Sequence, residues 1–227
     1  MGLLDRPLWN ALTTRWAAFA EGDARAWRLR RDYGMFGVPA DHSAESLTAL
    51  AALVPDNGEL WVVDGTACPA PAGTRLLHPP EAVVQMVCER PTPAPPPAFE
   101  IIDLTEIDGT AMFDLATLTR PGPYVRHTNR LGRFVGVKQG DRLVAMVGER
   151  MRMPGLAEVS GVCTHPDHRG KGYAAALIRV VMARMVAKGE TAFLHASASN
   201  AGAIAVYERL GFRHRATMAA CVLVRDI

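Results

Sequence analysis

The sequence has little net charge, few cysteines and no long hydrophobic run, and each shortage excludes a class of protein. Its 25 Lys and Arg residues against 23 Asp and Glu residues leave a formal charge of +2, without the positive excess of a nucleic-acid-binding surface. The charge-free stretch 191–207 contains His195, Ser197 and Asn200 and is short for a membrane span. We therefore expect neither a nucleic-acid partner nor a membrane partner.

The cysteines and the N-terminus indicate where the protein works. The chain has four scattered cysteines and no C-x-x-C pair: Cys68, Cys88, Cys163 and Cys221. This pattern indicates neither a zinc ribbon nor a disulfide framework, and it favours a reducing compartment. Asp5 and Arg6 precede any apolar run, which excludes a secretory signal, and Arg6 stands where a myristoylation site needs Ser or Thr. We expect a cytoplasmic protein.

The 227 residues, of which 49% are hydrophobic and 21% are charged, have an ordinary globular composition. A proline run at 91–97 (PTPAPPP) cannot donate ladder hydrogen bonds and favours an extended conformation. We place a linker there, between a smaller mixed α/β domain at 1–90 and a second domain at 98–227. The hydrophobic spacing predicts helices at 8–20 and 44–53 and strands at 59–63 and 83–88.

After the proline run, the pattern predicts a strand at 99–104, a helix at 109–119 and a hairpin formed by 133–138 and 142–150. A further strand at 156–164 leads into the glycine-rich segment 163–174 (CTHPDHRGKGYA), and an amphipathic helix follows. The first turn of a helix has backbone N–H groups without partners and the positive end of the dipole, and both attract phosphate. Gly170 and Gly172 leave that backbone uncovered, so the segment predicts an anion site.

Two common nucleotide-binding turns do not match this segment. A P-loop needs Gly-Lys followed by Ser or Thr, and here Lys171 is followed by Gly172. A Rossmann turn needs a third glycine at position 175, which is alanine. Neither a P-loop nor a Rossmann site is favoured.

Residues 169–174 (RGKGYA) instead fit R-x-x-G-x-A, and 200–212 (NAGAIAVYERLGF) fit N-x-x-A-x-x-x-Y-x-x-x-G-F. With these two blocks the sequence resembles the GNAT superfamily of acyl-CoA-dependent N-acyltransferases over roughly 99–227. The resemblance implies an α/β (α+β) fold with a mixed, mostly antiparallel central sheet flanked by helices. It also implies acetyl-CoA as co-substrate, with no metal. The first 90 residues are similar to a degenerate acyltransferase-like fold but carry no motif.

The resemblance also implies which residues hold the cofactor. The backbone of Val162, Cys163 and Thr164 would pair with the pantetheine arm as an added strand would. The turn that would hold the pyrophosphate consists of Arg169, Gly170, Lys171, Gly172, Tyr173, Ala174 and Ala175. Asn200 and Ala203 belong to the second block, and Asn200 is also a good N-cap by residue type. Asn200 and Tyr207 lie about 10 Å apart along one helix face, so one ligand arm can touch both.

The reaction implied is attack of a primary amine, in a small molecule or a peptide, on the acetyl thioester. An amine with a pKa near about 10.4 must first lose a proton. Glu158, on the strand before the turn, is the candidate base, directly or through water, and Tyr207 is the candidate general acid for the CoA thiolate. A backbone N–H at Val162 or Cys163 would stabilise the oxyanion. The alternative function is a non-catalytic acyl-CoA-binding or sensor module.

Three further features of the sequence bear on the site. Cys163 has no Cys/His arrangement around it and is interpreted as a buried structural residue. His165 and His168 lack a third ligand, so no metal site is predicted. The rigid segment 120–124 (RPGPY) lies where the resemblance places the wall of the acceptor pocket.

Overall fold

The computed structural model describes residues 2–65 and 70–226. Within them the helices are α1 Pro7–Leu12, α2 Ala44–Leu53, α3 Gly109–Thr119, α4 Tyr173–Ala187 and α5 Ala201–Arg209. The first six strands are β1 Ala20–Asp23, β2 Ala26–Leu29, β3 Gly37–Pro39, β4 Leu60–Asp64, β5 Thr74–Leu76 and β6 Glu81–Cys88. The others are β7 Ile102–Leu104, β8 Phe134–Gln139, β9 Arg142–Met153, β10 Leu156–Thr164, β11 Thr191–Ser197 and β12 Arg213–Arg225.

Nine strands form one mixed sheet in the order β4-β12-β6-β11-β10-β9-β8-β7, with β5 also paired to β12. Every pairing in it is antiparallel except that of β10 with β11. Strands β1 to β3 form a separate small sheet. The predicted α/β class, with a large and mostly antiparallel sheet flanked by helices, is confirmed.

The proline run at 91–97 joins two parts of the chain that share this sheet. Strand β6 precedes the run, yet it lies between β11 and β12, which come after it. Strand β4 also precedes the run and pairs with β12 from Leu60↔Leu223 to Asp64↔Ala219. The proline run is therefore a boundary in the sequence, but the large sheet contains strands from both sides of it.

The two faces of the large sheet carry different helices. On one face, α4 packs Leu177, Ile178 and Val181 against Val135 and Val147 of the sheet. On the other face, α1 packs Leu8 and Leu12 against Met151, Phe193 and Ala220. The large sheet is consequently covered by helices on both faces.

Local sequence signals explain the elements that were predicted well. Helices α2 and α3 have the predicted bounds, and α2 begins where the Ser43 side chain accepts a hydrogen bond from the Ser46 N–H at 3.2 Å, a standard N-cap. Strand β10 also has the predicted bounds. Gly140, with φ +58, makes the tight turn between β8 and β9.

Other predictions were wrong or incomplete. The helix expected at 8–20 ends at Leu12, because a turn and a short 3₁₀ segment lead the chain into β1 at Ala20. The 13-residue strand β12 was not predicted. Its Met218 and Ala220 pack on the face that carries α1, whereas Cys221 and Leu223 pack in a cluster with Leu50.

The cysteines and the helix lengths bear on two further expectations. Cys68 lies outside the described residues, and Cys88 and Cys163 are free and buried. Cys221 is disulfide-bonded, although the cysteine pattern indicated no disulfide framework. None of the described helices has the length and apolar character needed to cross a membrane.

Gly161→Ala should destabilise the protein by about 2 kcal/mol, because Gly161 sits at φ +59 and an added Cβ would meet Phe134 Cε1 at 2.8 Å. The matched control is Gly140→Ala, which has φ +58 and open space around its Cβ position. It should cost about 1 kcal/mol, from the left-handed conformation alone. Urea unfolding of both variants measures the difference, and equal losses would show that Phe134 does not restrict this position.

Candidate active site

Strands β10 and β11 separate in the middle of the large sheet. They pair only from Leu156↔Thr191 to Glu158↔Phe193. Beyond that point β10 stays with β9 while β11 stays with β6. The register of β10 against β9 shifts between Ser160 and Cys163, and such a bulge bends a strand and increases its twist. We call the resulting gap the fork.

A cavity of about 420 Å³ occupies the fork. Tyr207, on its wall, belongs to the core cluster packed on α4, whereas Met151 and Ala220 belong to the cluster packed on α1. The cavity therefore reaches both faces of the sheet. Its volume lies in the range of small-molecule sites, about 300 to 1,000 Å³.

The glycine-rich turn ends at the open N-terminus of α4. Gly172 precedes the helix with φ +77, no side chain caps the helix, and Gly170 has φ +76. A Cβ at either glycine would have no protein atom within 4 Å. The N–H groups of 172–175 precede the first i to i−4 partners of the helix. The turn is thus uncovered, as an anion site requires.

The predicted pyrophosphate residues surround this opening. Arg169, Gly170, Lys171 and Gly172 are exposed. Tyr173 is buried, with its ring centroid 4.7 Å from that of Phe99. Ala174 and Ala175 are half-buried in the first turn of α4. Within this set, side-chain charge comes only from Arg169 and Lys171.

The three predicted residues at the end of β10 have different surroundings. Val162 lines the cavity. Cys163 is fully buried among side chains of α3, and burial raises its pKa to about 12, so its thiol is a poor nucleophile. Thr164 is half-buried at the last position of the strand. Beyond Glu158 no strand among the described residues pairs with the β11-facing edge of β10, and this edge can accept an added strand.

Helix α5 contributes Asn200, Ala203 and Tyr207 to the cavity wall. The Asn200 side chain caps the helix, since its Oδ1 accepts a hydrogen bond from the Ala203 N–H at 3.1 Å. Tyr207 is 8% exposed, and burial raises its pKa to about 12. Its hydroxyl is therefore protonated at neutral pH and can donate a proton.

Glu158 lies buried at the branch point of the fork, where it pairs with two side chains. Arg150 of β9 donates from Nε to Oε2 at 2.8 Å and from Nη2 to Oε1 at 3.0 Å. His195 Nδ1 lies 2.9 Å from Oε1, and the Met151 N–H donates to Oε2 at 3.3 Å. Because an ionised carboxylate only accepts, His195 donates from Nδ1. All four contacts come from the protein, so the carboxylate is saturated.

The other ring nitrogen of His195 is also occupied. Gln85 Nε2 lies 3.1 Å from His195 Nε2, while Gln85 Oε1 accepts from Arg215 Nη1 at 2.9 Å. That second bond fixes the orientation of the amide, so Gln85 donates to His195. His195 thus joins Gln85, through Nε2, to Glu158, through Nδ1.

These contacts determine the charge of Glu158. Burial alone would raise its pKa, but the Arg150 charge and the hydrogen bonds from His195 and Arg150 outweigh burial and hold the pKa at about 2. The direct proton transfer expected from the sequence would need a free carboxylate oxygen. The role of Glu158 as a base stays a prediction, and the contacts favour positioning of its neighbours.

The structure adds site residues that sequence reasoning missed. Phe36 and Trp61, both before the proline run, line the cavity and are joined by a parallel β-bridge. The Arg150 guanidinium lies 4.8 Å from the centre of the Phe36 ring. No local motif marks Phe36 or Trp61, but opposite charges at Arg150 and Glu158 on adjacent predicted strands were a usable signal.

Two remaining expectations concern the metal and the acceptor wall. Within the described residues no group of three or more His, Cys, Asp and Glu side chains could hold a metal ion. His165 accepts a hydrogen bond from the Asp167 N–H through Nδ1 at 3.2 Å. Four residues of the rigid segment expected at the acceptor wall do line the cavity: Arg120, Pro121, Gly122 and Pro123.

Glu158→Gln should lower the free energy of unfolding at neutral pH by about 3 kcal/mol, because it leaves Arg150 without its buried partner. The folded pKa is depressed from 4.5 to about 2, so this stability is present above pH 4.5 and is lost as the pH falls towards 2. Urea unfolding at several pH values should therefore show a smaller difference between wild type and variant at low pH.

The control for this experiment is Glu81→Gln. Glu81 is exposed and has no ion pair within the described residues, so its replacement should leave stability at neutral pH unchanged. A constant difference between wild type and Glu158→Gln down to pH 2 would contradict the depressed pKa.

Comparisons with known proteins place the chain in a family. The profile of FR47-like proteins matches residues 134–221. A GNAT-family protein from Novosphingobium aromaticivorans is 43% identical, with 100% of both chains covered and a TM-score of 0.92. A GCN5-related N-acetyltransferase from Kribbella flavida is 18% identical, with 100% of this chain and 97% of that chain covered and a TM-score of 0.66. No curated protein matches the chain. The identity and coverage of the Novosphingobium protein show that the chain belongs to the GNAT family of acyltransferases.

Proposed function

We propose that the protein transfers an acetyl group from acetyl-CoA to a primary amine. The observation that carries the proposal is the cavity through the fork, which brings Tyr207 of one face together with Arg150 and Phe36 of the other. The cofactor reaches the cavity from the side of α4 and α5, and the amine reaches it from the side of α1. The sheet thus separates the two substrates until they meet at the fork.

In this proposal the N-terminus of α4 binds the pyrophosphate. The uncovered N–H groups of 172–175 and the helix dipole supply the attraction, and Arg169 and Lys171 add positive charge. The pantetheine arm lies along the free edge of β10 at Val162–Thr164, where backbone groups pair with its amides. The arm then passes Asn200 and Ala203 and delivers the thioester to Tyr207.

The chemistry joins the amine nitrogen to the acetyl carbon and breaks the carbon–sulfur bond. The thiolate that leaves takes the proton of the Tyr207 hydroxyl. A backbone N–H at Val162 or Cys163 stabilises the oxyanion, because a fixed dipole needs little reorganisation during the reaction.

The sequence left open whether Glu158 or water accepts the proton of the amine, and the contacts of Glu158 favour water. Glu158 has four hydrogen-bond donors on its carboxylate and a pKa of about 2, so it is a weak base. In our proposal Glu158 is a positioning residue that holds Arg150 and His195 at the cavity. The amine releases its proton to water in the cavity, and the Tyr207 phenolate regains a proton from water, which completes the balance.

Tyr207→Phe should lower kcat about 100-fold, within the usual contribution of a general acid, and leave the Kd for acetyl-CoA nearly unchanged. The measurement is release of free thiol from acetyl-CoA with a panel of primary amines, and calorimetry gives the Kd. The control is Tyr33→Phe, which removes a hydroxyl from a residue that does not line the cavity. Wild-type kcat in Tyr207→Phe would exclude the tyrosine as the acid.

The same assay separates the enzyme from the alternative of an acyl-CoA-binding sensor. An enzyme releases thiol only when an amine is present. A protein that binds acetyl-CoA in calorimetry but releases no thiol with any amine is a sensor, and that result would overturn the proposed activity.

Gly172→Val should weaken acetyl-CoA binding at least about 100-fold, because a branched side chain would stand between the pyrophosphate and the N–H groups of α4. A Cβ at position 172 would meet no protein atom within 4 Å, so the expected loss arises from the ligand and from strain at φ +77. Gly140→Val carries similar strain at an exposed hairpin and serves as the control. Equal affinities of Gly172→Val and wild type in calorimetry would remove the pyrophosphate from this turn.

A further inference from the structure

Arg120 has an unusual backbone conformation at the cavity. It follows α3 with φ +49 and ψ +61, and within the described residues it is the only non-glycine residue with positive φ. Left-handed backbone is unfavourable for a residue with a Cβ. Such strain is commonly retained where a site requires it. The following Pro121-Gly122-Pro123 segment makes the corner rigid.

The Arg120 side chain is unpartnered although it stands at this wall. It is exposed, and it makes no hydrogen bond and no ion pair within the described residues. Arg120 lines the cavity, and no ion pair in the described part of the chain compensates its charge.

Arg150 supplies a second guanidinium, but its charge is compensated. Its Nε and Nη2 are bound to Glu158, and its Nη1 has no hydrogen-bond partner within the described residues. The ring of Phe36 at 4.8 Å and the Glu158 contacts fix its plane. Arg150 therefore presents an oriented donor without net charge, and Arg120 provides the net positive charge of this wall.

A negative group lies elsewhere on the cavity. Glu81, at the start of β6, is exposed and lines the same cavity. No ion pair within 4.0 Å joins Glu81 to Arg120 or Arg150 in the described residues. The lining of the cavity thus carries one positive and one negative side chain that do not neutralise each other.

We propose that the acceptor carries a carboxylate beside its amine, as an amino acid does. The carboxylate binds Arg120 at the mouth and Nη1 of Arg150 further in, while Glu81 attracts the ammonium before it loses its proton. Phe36 and Trp61 offer an apolar surface for the rest of the molecule. This inference names the acceptor class of the proposed acetyl transfer and rests on that function.

The test compares amino acids with the amines that result when their carboxylate is removed, phenylalanine with phenethylamine and β-alanine with ethylamine. In the thiol-release assay, kcat/KM should be at least about tenfold higher for each amino acid than for the amine paired with it. Arg120→Asn should remove most of this preference, about 10- to 100-fold, as expected for one charge-assisted contact. Asparagine tolerates the left-handed backbone, so the variant should fold.

The matched control is Arg126→Asn. Arg126 lies in the same connecting segment and is exposed but does not line the cavity, so its replacement should leave both members of each pair unchanged. Equal kcat/KM within the pairs for wild type would overturn the inference. The inference would also be overturned if Arg120→Asn lowered kcat/KM equally for the amino acid and the amine. A weaker Kd for acetyl-CoA in Arg120→Asn would overturn it as well.

Calorimetry keeps this inference separate from the proposed function. Phenylalanine and phenethylamine are titrated into the protein saturated with CoA, which requires no turnover. Failure of acetyl transfer appears as no thiol release with any amine, whereas failure of the inference appears as equal Kd values for the two compounds. Preferential binding of phenylalanine that is lost in Arg120→Asn supports the carboxylate site in either case.

Discussion

The site depends on the buried carboxylate of Glu158. It lies where β10 and β11 cease to pair, and it binds Arg150 of β9 and His195 of β11. Three strands are thus joined by charge and hydrogen bonds next to the gap between two of them. A buried ion pair is costly to break, so the branch point stays fixed while the strands diverge beyond it. The position of the cavity follows from this arrangement.

The same contacts explain why the polar residues at the cavity have different roles. A carboxylate that holds an arginine and a histidine in place gives up its capacity to accept a further proton. Tyr207 differs, because its hydroxyl carries a proton at neutral pH, and burial raises its pKa to about 12. Structural and chemical tasks therefore fall to different side chains around one cavity, and the N-terminal part of the chain adds Phe36 and Trp61 as its apolar wall.

Local sequence patterns predicted the parts of the fold that depend on neighbouring residues. The bounds of α2 follow from the Ser43 cap, and the glycine-rich turn before α4 was recognised by spacing. Long-range pairing was not predictable in this way. Strand β12 and the place of β6 inside the sheet depend on partners far along the chain. The contacts of Glu158 needed the same information, since residue type and strand position indicated a base but not the donors around it.

The place of β12 in the sheet has a consequence for how the protein is made. Strand β12 pairs with both β4 and β6, which precede it by more than 120 residues. During synthesis the edges of β4 and β6 that face β12 lack this pairing until residues 213–225 have been made. Contacts of such long sequence separation slow folding, and unpaired edges promote aggregation. The strand order therefore leaves strand edges unpaired for longer during synthesis than pairing between neighbouring strands would.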